Sequence, residues 1–329
     1  MSEGREYEDT SSADGKGSLS QQYGGLHARG WVDLLPSSWI PYVQLARLSP
    51  PVALFLIYFP HLFGTLHAAK AYDLSTPECL GLCSILMGGS FFFSNAAHAW
   101  NDIIDAPIDK QIARTRNRPI ARGAITPEAA FIFTAAQAFG AALFLLLLPP
   151  TTAIATIPTI IGTIYYPWAK RHTYFPQVVL GFCLSWGVIV GNSSAGAQKP
   201  WADPAALCLV LALTFWTMIY DTIYAYQDIS DDKRVGVKSL AILFQNRPKS
   251  LLWMLLLLMT ITLISYGRLI DSSIAFYLVT VGGVSLSLGS MIMNVELKNQ
   301  ANCWWWFSCG FWFTAAAIAT GLLLEYTLI

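Results

Sequence analysis

Charge is what this 329-residue chain has least of: Asp, Glu, Lys and Arg together make up 12% of it, about half the share in an ordinary soluble domain. Twenty acidic and twenty basic side chains cancel, so no bulk field is present to recruit nucleic acid. Cysteine is sparse as well. Cys79 and Cys83 stand four apart, but no second Cys/His pair follows at zinc spacing, which excludes a zinc module and leaves the six cysteines as small apolar residues. Only five histidines occur; His61, His67 and His98 lie within apolar runs and read as packing or hydrogen-bonding residues. Residues 1–30 lack the apolar core of a secretory signal, and their five acids (Glu3, Glu6, Glu8, Asp9 and Asp14) are foreign to a mitochondrial presequence. Residues 1–34 are expected to be a disordered cytoplasmic tail, followed by a single membrane domain over 35–329.

What fills the chain instead is apolar: 54% of it is hydrophobic and 13% aromatic. From residue 50 onward, runs long enough to cross a bilayer recur at about 50–69, 80–100, 127–148, 151–167, 177–197, 204–224, 250–267, 273–293 and 303–324. The third and fourth are separated only by Pro149 and Pro150, which cannot continue a helix and force a tight hairpin. The expected fold is therefore all-α and polytopic, with nine transmembrane helices. Nine spans put 17 of the 20 lysines and arginines on the side of the N-terminus and leave Lys70, Lys199 and Arg268 opposite, the asymmetry that marks the cytoplasmic face. Trp304, Trp305 and Trp306 read as an interfacial belt entering the last helix. The sequon at Asn192 lies too near the end of the fifth helix for glycan transfer.

Two acidic clusters end hydrophobic segments on that basic side: Asn101, Asp102, Asp105 and Asp109 after the second, and Asp221, Asp228, Asp231 and Asp232 after the sixth. Carboxylates beside a bilayer are costly and mark function. On a continued helix Asn101, Asp105 and Asp109 share a face, although Pro107 is expected to bend or end the helix near Ala106. Asp221, Asp228 and Asp232 likewise share a face, with Asp231 pointing elsewhere. All the ligands offered are oxygens, which suits Mg²⁺. Bases follow each cluster: Arg114, Arg116 and Arg118, then Lys233, Arg234 and Lys238, with Lys170 and Arg171 ending the fourth helix on the same side. Such bases can clamp a diphosphate, arginine with a forked hydrogen bond. Metal and clamp together stabilise it as a leaving group. An allylic cation needs aromatic faces, for which Tyr224, Tyr226, Trp186 and Trp168 are candidates.

These residues resemble the UbiA superfamily of intramembrane prenyltransferases. The first cluster matches that family's Asn-Asp-x-x-Asp-x-x-x-Asp signature, followed by Arg114-Thr115-x-x-Arg118-Pro119. The second matches Asp-x-x-Tyr-Ala-x-x-Asp-x-x-x-Asp and runs on to Gly236-Val237-Lys238-Ser239. Tyr166-Pro167-x-x-Lys170-Arg171, Thr173–Gln177 and the flank at Leu35–Tyr42 are similar to the subgroup that prenylates 4-hydroxybenzoate. The resemblance implies nine helices around a central cavity, an active site under a cytoplasmic cap, and a lateral opening for a lipid tail. It implies two Mg²⁺ ions bridging a prenyl diphosphate, held by Asn101, Asp105, Asp228 and Asp232 with Asp102, Asp109 and Asp221 in support. Asp105, Asp228, Asp221 and Tyr224 are the expected catalytic residues; Arg114, Arg118, Lys170, Arg171, Lys233 and Lys238 are expected to bind the diphosphate.

Two departures steer the reading. The N-terminal stretch is acidic, and Tyr226 stands before Gln227 where many quinone-pathway members carry His. Both features look more like fungal members that attach farnesyl or geranylgeranyl groups to aromatic polyketides or pyrones in meroterpenoid biosynthesis. That is the expected activity, in an endomembrane rather than the mitochondrial inner membrane, with no obligatory protein partner. A ubiquinone-pathway 4-hydroxybenzoate polyprenyltransferase and a membrane terpene cyclase of the same fold remain open as alternatives. A transporter is disfavoured because the acids crowd one mouth, and nine apolar spans exclude a soluble terpene synthase.

Overall fold

The computed structural model describes residues 31–327; residues 1–30, most of the expected tail, lie outside them. Among the described residues there are helices and turns and no strand. Trp31–Leu34, assigned above to the tail, form a 3₁₀ turn that buries Val32. A short helix α1 (Ile40–Leu45) leads into α2 (Val52–Ala71), α3 (Thr76–Asp109), α4 (Pro127–Leu145), α5 (Pro150–His172) and α6 (Pro176–Ser194). Then come α7 (Pro204–Ala225), the short α8 (Ile229–Val235) and α9 (Leu240–Leu243), and finally α10 (Pro248–Leu269), α11 (Ile274–Asn294) and α12 (Gln300–Thr327).

Eight helical segments among the described residues are long and apolar enough to cross a membrane. The ninth expected span, α5, has the length; its five threonines and three prolines lower its hydropathy. The alternation of sides holds with α5 counted. Arg47, the end of α3, the end of α5 and the end of α7 meet through ion pairs and hydrogen bonds, while Lys70 of α2 and Glu325 of α12 pair 2.5 Å apart at the opposite end.

Starts follow local chemistry. Proline opens α4, α5, α6, α7 and α10, where its missing N–H is not needed. Ser75 and Glu78 form a capping box at α3, and Asp203 caps α7 by accepting from the Ala205 and Ala206 N–H groups. The acidic end of α3 corrects one expectation. Pro107 does not stop the helix, which runs on to Asp109. Within the last turn the proline removes a single ladder bond, and the Gln111 side chain satisfies its carbonyl at 3.0 Å.

Packing relies on small residues at helix crossings, the usual device inside a bilayer. At the α2–α6 crossing a Cβ on Gly64 would lie 2.1 Å from the Val188 carbonyl oxygen, and one on Gly191 would lie 2.2 Å from the His61 carbonyl oxygen. The backbones therefore touch, and no larger residue fits. Trp186 interrupts α6 and anchors its indole N–H on the Ala155 carbonyl at 2.8 Å. By contrast α4 buries only Ala130, so nearly its whole length faces lipid or the cavity behind it. It packs mainly on α3 and only sparsely on α5.

Candidate active site

The cap of the bundle is made of the α3–α4 loop, α8 and the stretch after it. The Ala113 N–H donates to Asp231 at 2.9 Å and Arg234 donates to the Gln111 carbonyl at 2.7 Å. The Lys238 N–H donates to the Lys170 carbonyl at 2.8 Å, tying in the end of α5. Gly236, at φ 82°, ends α8 and turns the chain back. Asp231 thus serves the cap rather than the interior.

Beneath the cap is a cavity of about 220 Å³ whose wall carries four carboxylates (Asp109, Asp221, Asp228 and Asp232) and five bases (Arg47, Arg114, Arg118, Lys170 and Lys238). The two acidic clusters face each other across it. Arg114 reaches from the first loop to the second cluster: its Nε lies 3.0 Å from both Asp228 carboxylate oxygens, its Nη2 2.6 Å from Oδ2, and its Nη1 donates to the Tyr224 hydroxyl at 2.6 Å. Its guanidinium also lies 4.8 Å from the Tyr224 ring centre. Arg118 donates to both Asp109 oxygens, at 2.9 and 3.1 Å, and to Asp102 at 3.2 Å. Arg47 completes the Asp102 pair at 2.8 Å. Asp105 is fully buried against the Lys170 ammonium, with Arg171 3.7 Å away. Burial alone would lower the arginine pKa values, but the adjoining carboxylates outweigh it and hold Arg114 and Arg118 above the ordinary arginine value.

The expected residues separate into three groups. Asn101, Asp109, Asp221, Asp228, Asp232, Tyr224, Arg114, Arg118, Lys170 and Lys238 line the cavity. Asp102, Asp105 and Arg171 stand behind the wall, Arg171 donating to the Ile104 carbonyl at 2.8 Å. Lys233 departs from expectation: it is exposed on the outer side of α8 and does not line the cavity, because the helix that turns Asp232 inward turns its neighbour out. Of the aromatic candidates only Tyr224 reaches the cavity; Trp186 packs on Phe182, Trp168 on Trp100, and Tyr226 is buried elsewhere.

Sequence reasoning missed Tyr220, Phe307 and Arg47. Tyr220 precedes Tyr224 by one helical turn and could have been found by that spacing. Phe307 could not: it comes from α12, where a π-helical turn at Trp306–Gly310 re-aims the side chain, a device common at functional sites. Its ring centre lies 4.3 Å from that of Tyr224 and 5.9 Å from that of Tyr220. Arg47 was read only as a topology charge; it sits at φ 54°, a left-handed conformation rare for a long side chain. His61 and His98 hydrogen-bond within their own helices, and His67 bonds Asp203 at 2.8 Å and Tyr266 at 3.2 Å. Asn192 is buried and donates to Asp203, so its sequon is closed to glycosylation.

Among the described residues no three His, Cys, Asp or Glu side chains are gathered closely enough to hold a metal as they stand. The donor set nevertheless suits a hard cation. Every inward-facing acid is an oxygen ligand, and the buried Asn101 Oδ1 and Asp105 Oδ1 accept no hydrogen bond. Buried polar atoms are rarely left so.

A second cavity, of about 400 Å³, lies between α3, α4 and α5 and shares Phe93, Ala97 and Thr163 with the first. Its wall is almost wholly apolar. The hydroxyls of Thr134, Thr156 and Thr159 are turned onto backbone carbonyls. A charged chamber thus adjoins an oily one at those three residues.

Residues 57–316 match the UbiA prenyltransferase family. The chain belongs to that family. It is similar to Prenyltransferase stbC of Stachybotrys bisbyi, 34% identical over 90% of this chain and 90% of that one. It is equally similar to the mitochondrial 4-hydroxybenzoate polyprenyltransferase of Saccharomyces cerevisiae, 34% identical over 91% of this chain and 78% of the relative. The fold is shared with a UbiA homolog from Archaeoglobus fulgidus solved bound to GPP and Mg²⁺, with a TM-score of 0.60 at 17% identity, covering 87% of this chain and 99% of that one. This UbiA-family chain is an integral membrane prenyltransferase, and both signature motifs of the resemblance lie at its two-chambered cavity.

Proposed function

We propose that this enzyme transfers a farnesyl or geranylgeranyl group from its diphosphate to a carbon of an aromatic polyketide or pyrone in meroterpenoid biosynthesis, and that the reaction requires Mg²⁺. The observation that carries the proposal is the adjacency of the two cavities: carboxylates and bases in the one, almost wholly apolar walls in the other, with Phe93, Ala97 and Thr163 common to both, matching a diphosphate head and an isoprenoid tail. Asn101, Asp109, Asp228 and Asp232 face the head position, and Asp105 stands behind them; these oxygens would hold two Mg²⁺ ions. Bound there, Mg²⁺ would offset the charge that builds on the departing diphosphate.

The residues of the chain do the rest. Arg114 and Lys170, now holding Asp228 and Asp105, would exchange those partners for diphosphate oxygens, with Arg118 and Lys238 beside them. As the C1–O bond breaks, its electron pair leaves on the diphosphate. The Tyr220, Tyr224 and Phe307 rings face the carbon left behind and exclude water. The acceptor carbon then bonds to C1, and Asp221, on the same wall beside Gln177, takes up the proton that this carbon sheds. The cap and N-terminus are read as cytoplasmic from the basic asymmetry, and the membrane as an endomembrane.

The 34%-identical 4-hydroxybenzoate polyprenyltransferase favours one other reading, with that acid as acceptor. The metal assignment is tested by Asp105→Ala and Asp228→Ala in membranes containing Mg²⁺. Loss of product with protein levels unchanged is expected; full activity in either variant would overturn it.

A further inference from the structure

We infer that Asp231 is a positioning residue for the reaction: from the outer face of the cap it holds the main chain that carries Arg114, and so sets where the guanidinium meets the diphosphate. The inference rests on the proposed function and deepens it, since Arg114 is there the base that trades Asp228 for diphosphate oxygens. Asp231 belongs to the second acidic cluster but does not line the cavity. Both its oxygens are engaged outside. Oδ2 accepts from the Ala113 N–H at 2.9 Å, and Oδ1 accepts from Arg234 Nη2 at 3.0 Å. The same Nη2 donates to the Gln111 carbonyl at 2.7 Å. Two backbone groups just before Arg114, on residues 111 and 113, are therefore gripped by one carboxylate–guanidinium pair.

The other flank of Arg114 is tied as well. The buried Thr115 hydroxyl donates to the Asp109 carbonyl at 3.1 Å. Arg114 thus stands between two anchors, one on each acidic motif, and its side chain is the movable part. That division matters when the guanidinium leaves Asp228. Asp228 stands just before α8 and Asp231 three residues on, within it. The carboxylate that releases the guanidinium and the one that keeps its backbone in place are therefore carried by the same turn. With the backbone fixed, only the side chain rotates in the exchange, and the fork arrives already aimed. Stability is a poor explanation of the clasp. Arg234 is 64% exposed and Asp231 25%, and ion pairs so open to water contribute little.

The test uses the full chain in lipid nanodiscs with Mg²⁺ and measures Kd for non-ionising farnesyl thiolodiphosphate, with thermal melting alongside. Asp231→Ala is expected to weaken binding about tenfold or more, with the melting temperature little changed. Asp231→Asn, whose amide oxygen can still accept the Ala113 N–H, should bind within about threefold of wild type. Added to Arg114→Met, Asp231→Ala should weaken binding less than about twofold further, because its effect passes through Arg114. The comparison of Ala with Asn stands without the Arg114 variant should that protein not fold. Unchanged Kd in Asp231→Ala would overturn the inference. So would an Asn variant as weak as Ala, which would make the charge itself a ligand, or a full loss retained on Arg114→Met. A wild type that does not bind the thiolodiphosphate would remove the proposed function and the inference with it. Intact binding without product from any acceptor would sink the transfer reading alone.

Discussion

The ion pair that spans the two motifs should be the most costly single contact to break. Arg114 is 5% exposed and Asp228 11%, and the guanidinium makes a forked bond to the carboxylate and a further one to Tyr224. Removing one partner of such a pair leaves the other charge buried and typically costs about 3–5 kcal/mol. Removing both leaves no orphaned charge. Arg114→Met and Asp228→Asn are therefore each expected to destabilise the protein by about 3 kcal/mol. The double variant should lose little more than either single one, a coupling of about 3 kcal/mol. Reversible unfolding in bicelles, followed across the four proteins of the cycle, measures it. Additive losses would refute the reasoning, because they would mean that the two charges do not depend on each other. The same pair is proposed to open on the diphosphate, so each single variant should also lose about a hundredfold or more in kcat/KM, some 3 kcal/mol of transition-state stabilisation. The double variant, although little less stable than either single one, should not regain it.

Lys170→Ala should reduce transfer about a hundredfold or more, whereas Lys233→Ala, on the outer side of α8, should change it less than threefold, as surface substitutions do; kcat/KM measured side by side decides between them. Phe307→Leu, which keeps bulk but removes the aromatic face, should lower kcat by about tenfold with KM for the prenyl diphosphate little altered; a change in KM alone would move Phe307 to substrate binding. Chelation with EDTA should abolish product formation and added Mg²⁺ restore it; turnover that survives chelation would count against the oxygen cluster. On the opposite side of the membrane, burial opposes the Asp203 charge, but His67 and the Ala205 and Ala206 N–H groups hold its carboxyl below the usual carboxylate range. A lowered pKa stabilises above the unfolded value near 4 and is lost as the pH falls through the folded value. Asp203→Asn should therefore melt earlier than wild type at pH 7, with the gap closing below about pH 4; a gap that persists there would locate its cost elsewhere.

Much of this was legible in the residue order because the bilayer enforces it. Apolar runs must be helices, and seventeen bases on one side fixed which ends meet. The acidic motifs could be placed for the same reason: Asn101 needed only the helical period, whereas Asp109 also needed the helix to continue past Pro107, which it does. What could not be read came from contacts across the bundle. Nothing local says that Arg114 will cross to Asp228, or that Lys170 will close on Asp105, since both depend on how three loops fold into one cap. Phe307 was hidden by an irregular turn that shifts the period on which such a reading relies. Lys233 was misjudged because successive residues of the α8 helix point about 100° apart, so proximity in sequence to Asp232 did not mean a shared face. The oily chamber is lined by five alanines and four threonines among larger apolar residues, all of which read as ordinary span until α3, α4 and α5 are seen to leave space between them.

The most direct test of the central claim is product analysis by mass. Nanodiscs carrying the full chain, Mg²⁺ and geranylgeranyl or farnesyl diphosphate would be offered an orsellinic-type acid, a hydroxypyrone and 4-hydroxybenzoate together. The account predicts a prenylated polyketide or pyrone with the new bond on carbon, absent when EDTA is added. Prenylated 4-hydroxybenzoate as the sole product would contradict the acceptor assignment, and a cyclised hydrocarbon formed from the diphosphate alone would contradict prenyl transfer itself.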